Sequence, residues 1–235
     1  MTKAKERLVR CVICAAFAAV ICVLSPFAIP AAVPVTLATL GVYIAAGCLP
    51  PSMSAAAVAV YLAVGALGAP VFSGFAGGVA HLAGPTGGYL VGYLPMAAAI
   101  SALISLRRRR ERAKNPAALG DSSRNVSTAR DNGAAQEGEQ ARKPDTRNDT
   151  PRNGEQEGKR PPLALDIAFC AAAMIAGTVV LYALGTAWFV VSQKTTLAAA
   201  IPTCVLPFLP GDAAKIAAAA IVSRAIEPVV GRAMG

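Results

Sequence analysis

Gly84-Pro85-Thr86-Gly87-Gly88-Tyr89-Leu90-Val91-Gly92-Tyr93 interrupts a chain that otherwise reads as membrane-embedded apolar helix. Gly-Pro followed by Gly-Gly is a turn signature, because Gly reaches positive φ and Pro fixes φ while removing a donor. Hydrocarbon does not tolerate irregular backbone unless protein or a water-lined cavity satisfies its N–H and C=O groups. A glycine-rich break between hydrophobic helices is therefore a candidate ligand loop.

The charge distribution around this stretch supports lipid as the solvent. Of 235 residues, 55% are apolar and 15% charged. Residues 107–162 hold 14 Lys/Arg and 9 Asp/Glu, leaving 8 and 4 for the other 179 residues. That remainder has too little polar surface to cover a soluble globule. The formal charge of +9 invites a nucleic-acid reading. Nucleic-acid binders combine a basic patch with aromatic or helical readers, and the basic block here contains no aromatic residue, so no nucleic-acid partner is expected.

Working outward, six apolar runs are candidate spans: residues 8–24, 35–49, 52–68, 89–106, 163–185 and 212–230. A span needs about 20 residues, and several of these runs are short. Residues 186–209, with Trp188, Lys194 and prolines from Pro202, read as an interfacial connection with one short helix; a seventh span is the alternative. Six spans with both termini cytoplasmic place the N-terminal Lys/Arg, Arg107-Arg108-Arg109-Arg110 and Arg224/Arg232 on the same side. The glycine-rich segment and the start of the last span then open to the outer face. Residues 1–106 and 163–235 form one all-α membrane domain, in the cytoplasmic membrane. Residues 107–162 lack an apolar period and are expected to be a disordered cytoplasmic loop between helices 4 and 5. Arginines beside it can rest on anionic lipid. Two sequons in the loop, at Asn125 and Asn148, match by chance in a polar linker. The first apolar run carries no signal cleavage site and reads as a retained span.

Two polar residues stand alone in the last third, in Pro207-Phe208-Leu209-Pro210-Gly211-Asp212-Ala213-Ala214-Lys215. Pro-Gly before Asp signals a helix start with Asp212 as N-cap. The i, i+3 spacing puts Asp212 and Lys215 on one face. Ionisable groups in spans are costly and face a bundle interior or cavity, so the pair could hold a small ligand bearing both N–H and C=O groups. The same pair could equally be a cap and an internal ion pair that only locks the helix. His81, the one histidine, has no Cys, Asp or Glu nearby and reads as packing or loop hydrogen bonding, not a metal ligand. Tyr89, Tyr93 and Trp188 suit a pocket wall or an aromatic belt.

Small residues recur at four-residue spacing, at Ala15/Ala19, Gly74/Gly78 and Gly84/Gly88/Gly92, which lets helices approach closely. The Ala15/Ala19 stripe is a candidate docking face for another membrane protein. Cys11-x-x-Cys14 has redox or metal spacing without a second pair to complete a site, and the six cysteines read as free, small hydrophobes. No phosphate-binding loop and no nucleophile–base pair occur, so the chain is not expected to be an enzyme or to hold a metal or other cofactor. Any ATPase that drives it is another chain.

Gly84-Pro85-Thr86-Gly87-Gly88-Tyr89-Leu90 resembles the signature of the BioY family, the biotin-specific substrate-binding (S) components of energy-coupling factor (ECF) transporters. Three further pieces agree in order: Val33-Pro34-Val35-Thr36-Leu37, Gly68-Ala69-Pro70-Val71-Phe72-Ser73-Gly74, and Pro207–Asp212 with Lys215. The resemblance covers residues 8–106 and 163–235. The family often has Gln where this chain has Ala38, and the long polar block is unusual for it. The resemblance implies a six-helix membrane protein that binds biotin at its outer face. It implies as partners a transmembrane coupling protein and ABC-type ATPases, with membrane lipid around the bundle. It also implies biotin contacts from Asp212, Lys215, Thr36 and the segment Gly84, Pro85, Thr86, Gly87, Gly88 and Tyr89, and docking through Ala15 and Ala19. Two other functions compete: an S component for another small vitamin, and a membrane scaffold acting through its cytoplasmic loop. A channel is disfavoured, since no ring of charged or carbonyl residues is evident.

Overall fold

The computed structural model describes residues 3–29, 35–114 and 163–234. Eight α-helices occur among them: α1 Lys3–Leu24, α2 Ala38–Cys48, α3 Pro51–Ala66, α4 Val79–Ala83, α5 Gly87–Lys114, α6 Leu163–Gln193, α7 Leu197–Cys204 and α8 Leu209–Met234. A two-residue antiparallel ladder follows α1, with β1 (Ala28–Ile29) paired to β2 (Val35–Thr36) in the register Ala28↔Thr36. One compact unit takes in Met1–Leu106 and Leu163–Gly235.

Helices α1, α5 and α6 are long and apolar enough to cross a membrane, and α7 with α8, bent by 51° at their junction, passes the test as a broken span. Large apolar side chains face outward along them, including Val12, Val20, Ile175, Val179, Ile221 and Val229. That exposure fits hydrocarbon and not water. The other two expected spans are short. The run from residue 35 loses its first residues to the β-ladder, so α2 has 11 residues, roughly 16 Å at 1.5 Å per residue. α3 has 16 residues and starts on Pro51, where the missing N–H costs nothing because the first turn has no acceptor for it. By length alone the described residues therefore hold three spans, or four with the bent pair.

α2 is the centre of the bundle: nine of its eleven residues are buried, with α1, α3 and α8 packed around it. Its small residues permit this. A Cβ on Gly47 would lie 2.4 Å from Ser223 Oγ of α8, a clash that keeps the position free of side chain. Hydroxyls join the helices where no water competes. Ser25 and Tyr61 lie 2.6 Å apart, as do Tyr43 and Thr178, and Thr178 donates onward to the Met174 carbonyl at 2.8 Å. Ser101 donates to the Leu49 carbonyl. Such interhelical bonds contribute about 0.6 kcal/mol each on average. At one end of α8, Arg224 donates to Asp166 of α6 at 2.8 Å and to Glu227 at 2.6 Å.

Two expected boundaries move. α6 does not stop at Gly185 but runs to Gln193, because Gly185 sits mid-helix against the Tyr89 ring, where a Cβ would come within 2.3 Å. The helix ends instead before Lys194, whose φ of 52° breaks it, and α7 is the one short helix expected in the connection. Likewise the arginine cluster does not end α5. The helix continues to Lys114, with Arg107 donating to Glu111 one turn on at 2.7 Å. The remainder of the expected loop, 115–162, lies outside the described residues.

Candidate functional site

α8 supplies the charged pair. Its first turn begins at Leu209, and the Asp212 N–H already donates to the Phe208 carbonyl at 2.7 Å. Asp212 is therefore inside the helix and is not the expected N-cap. Asp212 is 3% exposed. Oδ1 accepts from Lys215 Nζ at 3.0 Å, and Oδ2 accepts from the Tyr182 hydroxyl of α6 at 2.6 Å. Lys215 Nζ also donates to the Thr36 carbonyl at 2.7 Å and to Thr39 Oγ1 at 3.2 Å. An ammonium has three protons, and this one spends all three within the protein. The pair thereby joins α8 to α6, to β2 and to the first turn of α2.

These groups line a cavity of about 560 Å³, its mouth included. Thr36, Thr39, Leu181, Tyr182, Phe208, Asp212 and Lys215 share its lining with Tyr89, Leu90 and Tyr93 of α5 and with Ser25, Ser73, His81 and Thr86. Tyr182 is braced edge-on by Phe208, with ring centroids 6.4 Å apart. Tyr89 is fixed by Thr186 at 3.2 Å and by the Cys204 carbonyl at 3.4 Å. The mix of apolar wall with a few converging polar groups is that of a small-molecule site.

The glycine signature does not act as the expected loop. Only Gly84–Thr86 break the helices, and Gly87, Gly88 and Tyr89 already belong to the first turn of α5. Gly84 has φ −73°, and among the described residues the positive-φ glycines are Gly68, Gly74 and Gly78. Close approach is what requires glycine here. A Cβ on Gly87 would lie 1.7 Å from the Leu82 carbonyl oxygen, and one on Gly88 would lie 2.2 Å from Trp188 Cβ. Trp188 Nε1 donates to the Gly84 carbonyl at 3.0 Å. Trp188 is thus a clamp on the signature, not a cavity wall. Of the expected site residues, Asp212, Lys215, Thr36, Thr86 and Tyr89 line the cavity; Gly84, Pro85, Gly87 and Gly88 shape its wall without lining it. Ala15 and Ala19 are exposed on α1.

Sequence reasoning missed Tyr182, Thr39 and Ser73. Thr39 carried a usable signal, since it lies three residues from Thr36 in a run otherwise free of hydroxyls between Thr36 and Tyr43. Tyr182, inside a continuous apolar run, carried none.

A model of the BioY family matches residues 1–127 and 149–232. The chain belongs to the BioY family. It is 30% identical over 194 residues to a biotin transporter BioY of Rhizobium etli, covering 83% of this chain and 78% of the relative. It is 49% identical over 85 residues to a biotin transporter BioY2 of Lactococcus lactis subsp. cremoris, covering 36% of this chain and 47% of that protein. With a probable biotin transporter BioY of Pyrococcus horikoshii the identity is 45% over 71 residues, or 30% and 43% of the two chains. The match thus spans less than half the length of these last two relatives. Among solved structures, an S-component for biotin from an ECF-type ABC transporter superposes on 97% of this chain and 95% of its own, with a TM-score of 0.65 and 21% identity. That likeness shows the fold. Family and apolar helices together make this a membrane protein of the BioY family.

Proposed function

We propose that this chain binds biotin at high affinity and takes it up across the cytoplasmic membrane as the substrate-specific component of an ECF transporter. The observation that carries the reading is the part-buried Asp212–Lys215–Tyr182 cluster that lines the cavity. A ureido ring sets N–H donors beside a C=O acceptor. Asp212 and Lys215 set an acceptor beside a donor, in complementary order. Asp212 keeps spare lone pairs for a ureido N–H. Lys215 reaches the ureido oxygen by exchanging its longest bond, the 3.2 Å contact to Thr39. Tyr182 holds the carboxylate in place for this, and Tyr89, Tyr93 and Leu90 cover the apolar ring. Thr36 and the Gly84–Thr86 break with Gly87 and Gly88 complete the enclosure.

The remaining parts of the proposal concern the machine around this site. Residues 1–106 and 163–235 form one membrane domain of six helices in which α2 and α3 are short spans, both termini are cytoplasmic, and residues 107–162 are a cytoplasmic connection. The exposed Ala15/Ala19 stripe of α1 docks on a transmembrane coupling protein, and ABC-type ATPases drive reorientation of the loaded chain. The chain itself performs no catalysis. Equilibrium binding of radiolabelled biotin to the purified chain in detergent, with unlabelled biotin as competitor, tests the reading. Saturable one-to-one binding is expected; a folded sample that binds another vitamin and not biotin would redirect it to that ligand.

A further inference from the structure

The cavity's polar groups divide into a spent set and an unspent set. On the α8 side every proton of the Lys215 ammonium is used, and Asp212 stands against it as a buried negative charge. A ligand carboxylate brought there would stand beside the Asp212 charge and could take a Lys215 proton only by displacing one of its present acceptors. Like charges so placed in a poorly solvated site repel strongly. Segment 73–86 is different. Ser73, His81 and Thr86 all line the cavity, and among the described residues none of their side chains makes a hydrogen bond.

His81 is held for such a role. Phe72 is fully buried in a slot that exists because Gly65 has no side chain; a Cβ there would lie 2.2 Å from Phe72 Cζ. Tyr61 meets Phe72 edge-on at 5.6 Å, and the His81 ring stacks on it at 5.5 Å with the planes 20° apart. The backbone before His81 is pinned as well. Gly78, at φ 94°, donates its N–H to the Gly65 carbonyl at 2.7 Å, and α4 starts at the next residue. Gly74 donates to the Pro26 carbonyl at 3.1 Å, which sets Ser73 beside Ser25. The stack fixes the plane of the imidazole of a residue that lines the cavity. Both protonation states of a histidine keep at least one N–H donor.

Resting on the biotin reading above, we infer that His81, with Ser73 and Thr86, binds the ligand's carboxylate, so that the ligand lies with its ring at Asp212 and Lys215 and its acid tail at α4. His81 is then a specificity-determining residue that separates a free acid from its neutral derivatives. The test measures Kd by calorimetry on the purified full chain for biotin and for biotin methyl ester, in wild type, His81→Phe and His81→Gln. Phe keeps the stack on Phe72 and removes the donor; Gln returns a donor without the ring.

A charge-assisted hydrogen bond corresponds to about tenfold in Kd or more. Wild type should therefore prefer the acid by about that factor. His81→Phe should lose the preference by weakening biotin more than the ester, and His81→Gln should regain part of it. An equal loss of both ligands in His81→Phe assigns a packing role and overturns the inference, as does a preference that survives the substitution. If His81→Phe does not fold, a wild type that fails to distinguish acid from ester overturns it on its own. A folded wild type that binds neither molecule is a separate outcome, which removes the biotin reading and this inference together.

Discussion

Lys215→Met removes the ammonium shared by the Thr36 carbonyl, Thr39 Oγ1 and Asp212 Oδ1, and leaves an apolar stem of similar length. Asp212, 3% exposed, then keeps one partner, the Tyr182 hydroxyl. Taking one member from a buried ion pair costs about 3–5 kcal/mol, because the other charge stays buried without compensation. The single variant should therefore unfold far more readily than wild type in a detergent thermal-unfolding assay. Adding Asp212→Asn removes the second charge and keeps an oxygen for Tyr182 to donate to. Replacing a whole buried pair by neutral groups of similar volume is nearly neutral, so the double variant should regain most of the lost stability. Binding should behave differently. Two charge-assisted hydrogen bonds to the ligand at about 1.5 kcal/mol or more each amount to roughly a hundredfold in Kd. The double variant should be stable and bind biotin at least that much more weakly. If it regains wild-type affinity along with stability, the pair is only a lock between α8, α6 and α2, and the ligand-binding role assigned to it is wrong.

Other substitutions probe the parts separately. Tyr182→Phe keeps the ring against Phe208 but withdraws the 2.6 Å donor to Asp212, and should weaken biotin binding about tenfold with little change in unfolding temperature; unchanged affinity would remove Tyr182 from the site. Gly185→Val places a side chain where a Cβ already comes within 2.3 Å of the Tyr89 ring, so overpacking of about 1–3 kcal/mol should appear as a lower unfolding temperature, with weaker binding as Tyr89 is driven from the wall. Ala15→Leu with Ala19→Leu alters an exposed stripe away from the cavity, and should abolish uptake of labelled biotin by cells while the purified chain binds as before; normal uptake would place docking elsewhere.

Much of the architecture was legible because lipid imposes simple requirements. Long uncharged runs with basic flanks identified α1, α5 and α6, and the isolated Asp212 and Lys215 could only be afforded in a cavity or a paired interior. Local rules failed where tertiary packing overrode them. Gly185 is a plausible helix end in isolation, but in the bundle it is the gap that admits Tyr89. The Gly-Pro-Thr-Gly-Gly stretch has the composition of a flexible loop, yet two of its glycines are helical and are small because Leu82 and Trp188 press on them. Short α2 could not be told from a full span, since the strand pairing that removes its first residues depends on partners six and eight residues earlier.

The site shows the same limit in a sharper form. Motif spacing located the two charges but not their state, because spacing says nothing of the third group that completes them. Tyr182 lies 30 residues from Asp212 and comes from another helix. Its hydroxyl converts an ion pair into a three-member cluster whose carboxylate is oriented and whose ammonium is saturated. In the binding mode proposed above, a neutral ring exchanges one weak contact there, and the ligand's acid group goes to the unspent donors of segment 73–86. On that proposal, selectivity follows less from which residues are charged than from how many of their hydrogen bonds the protein has already used.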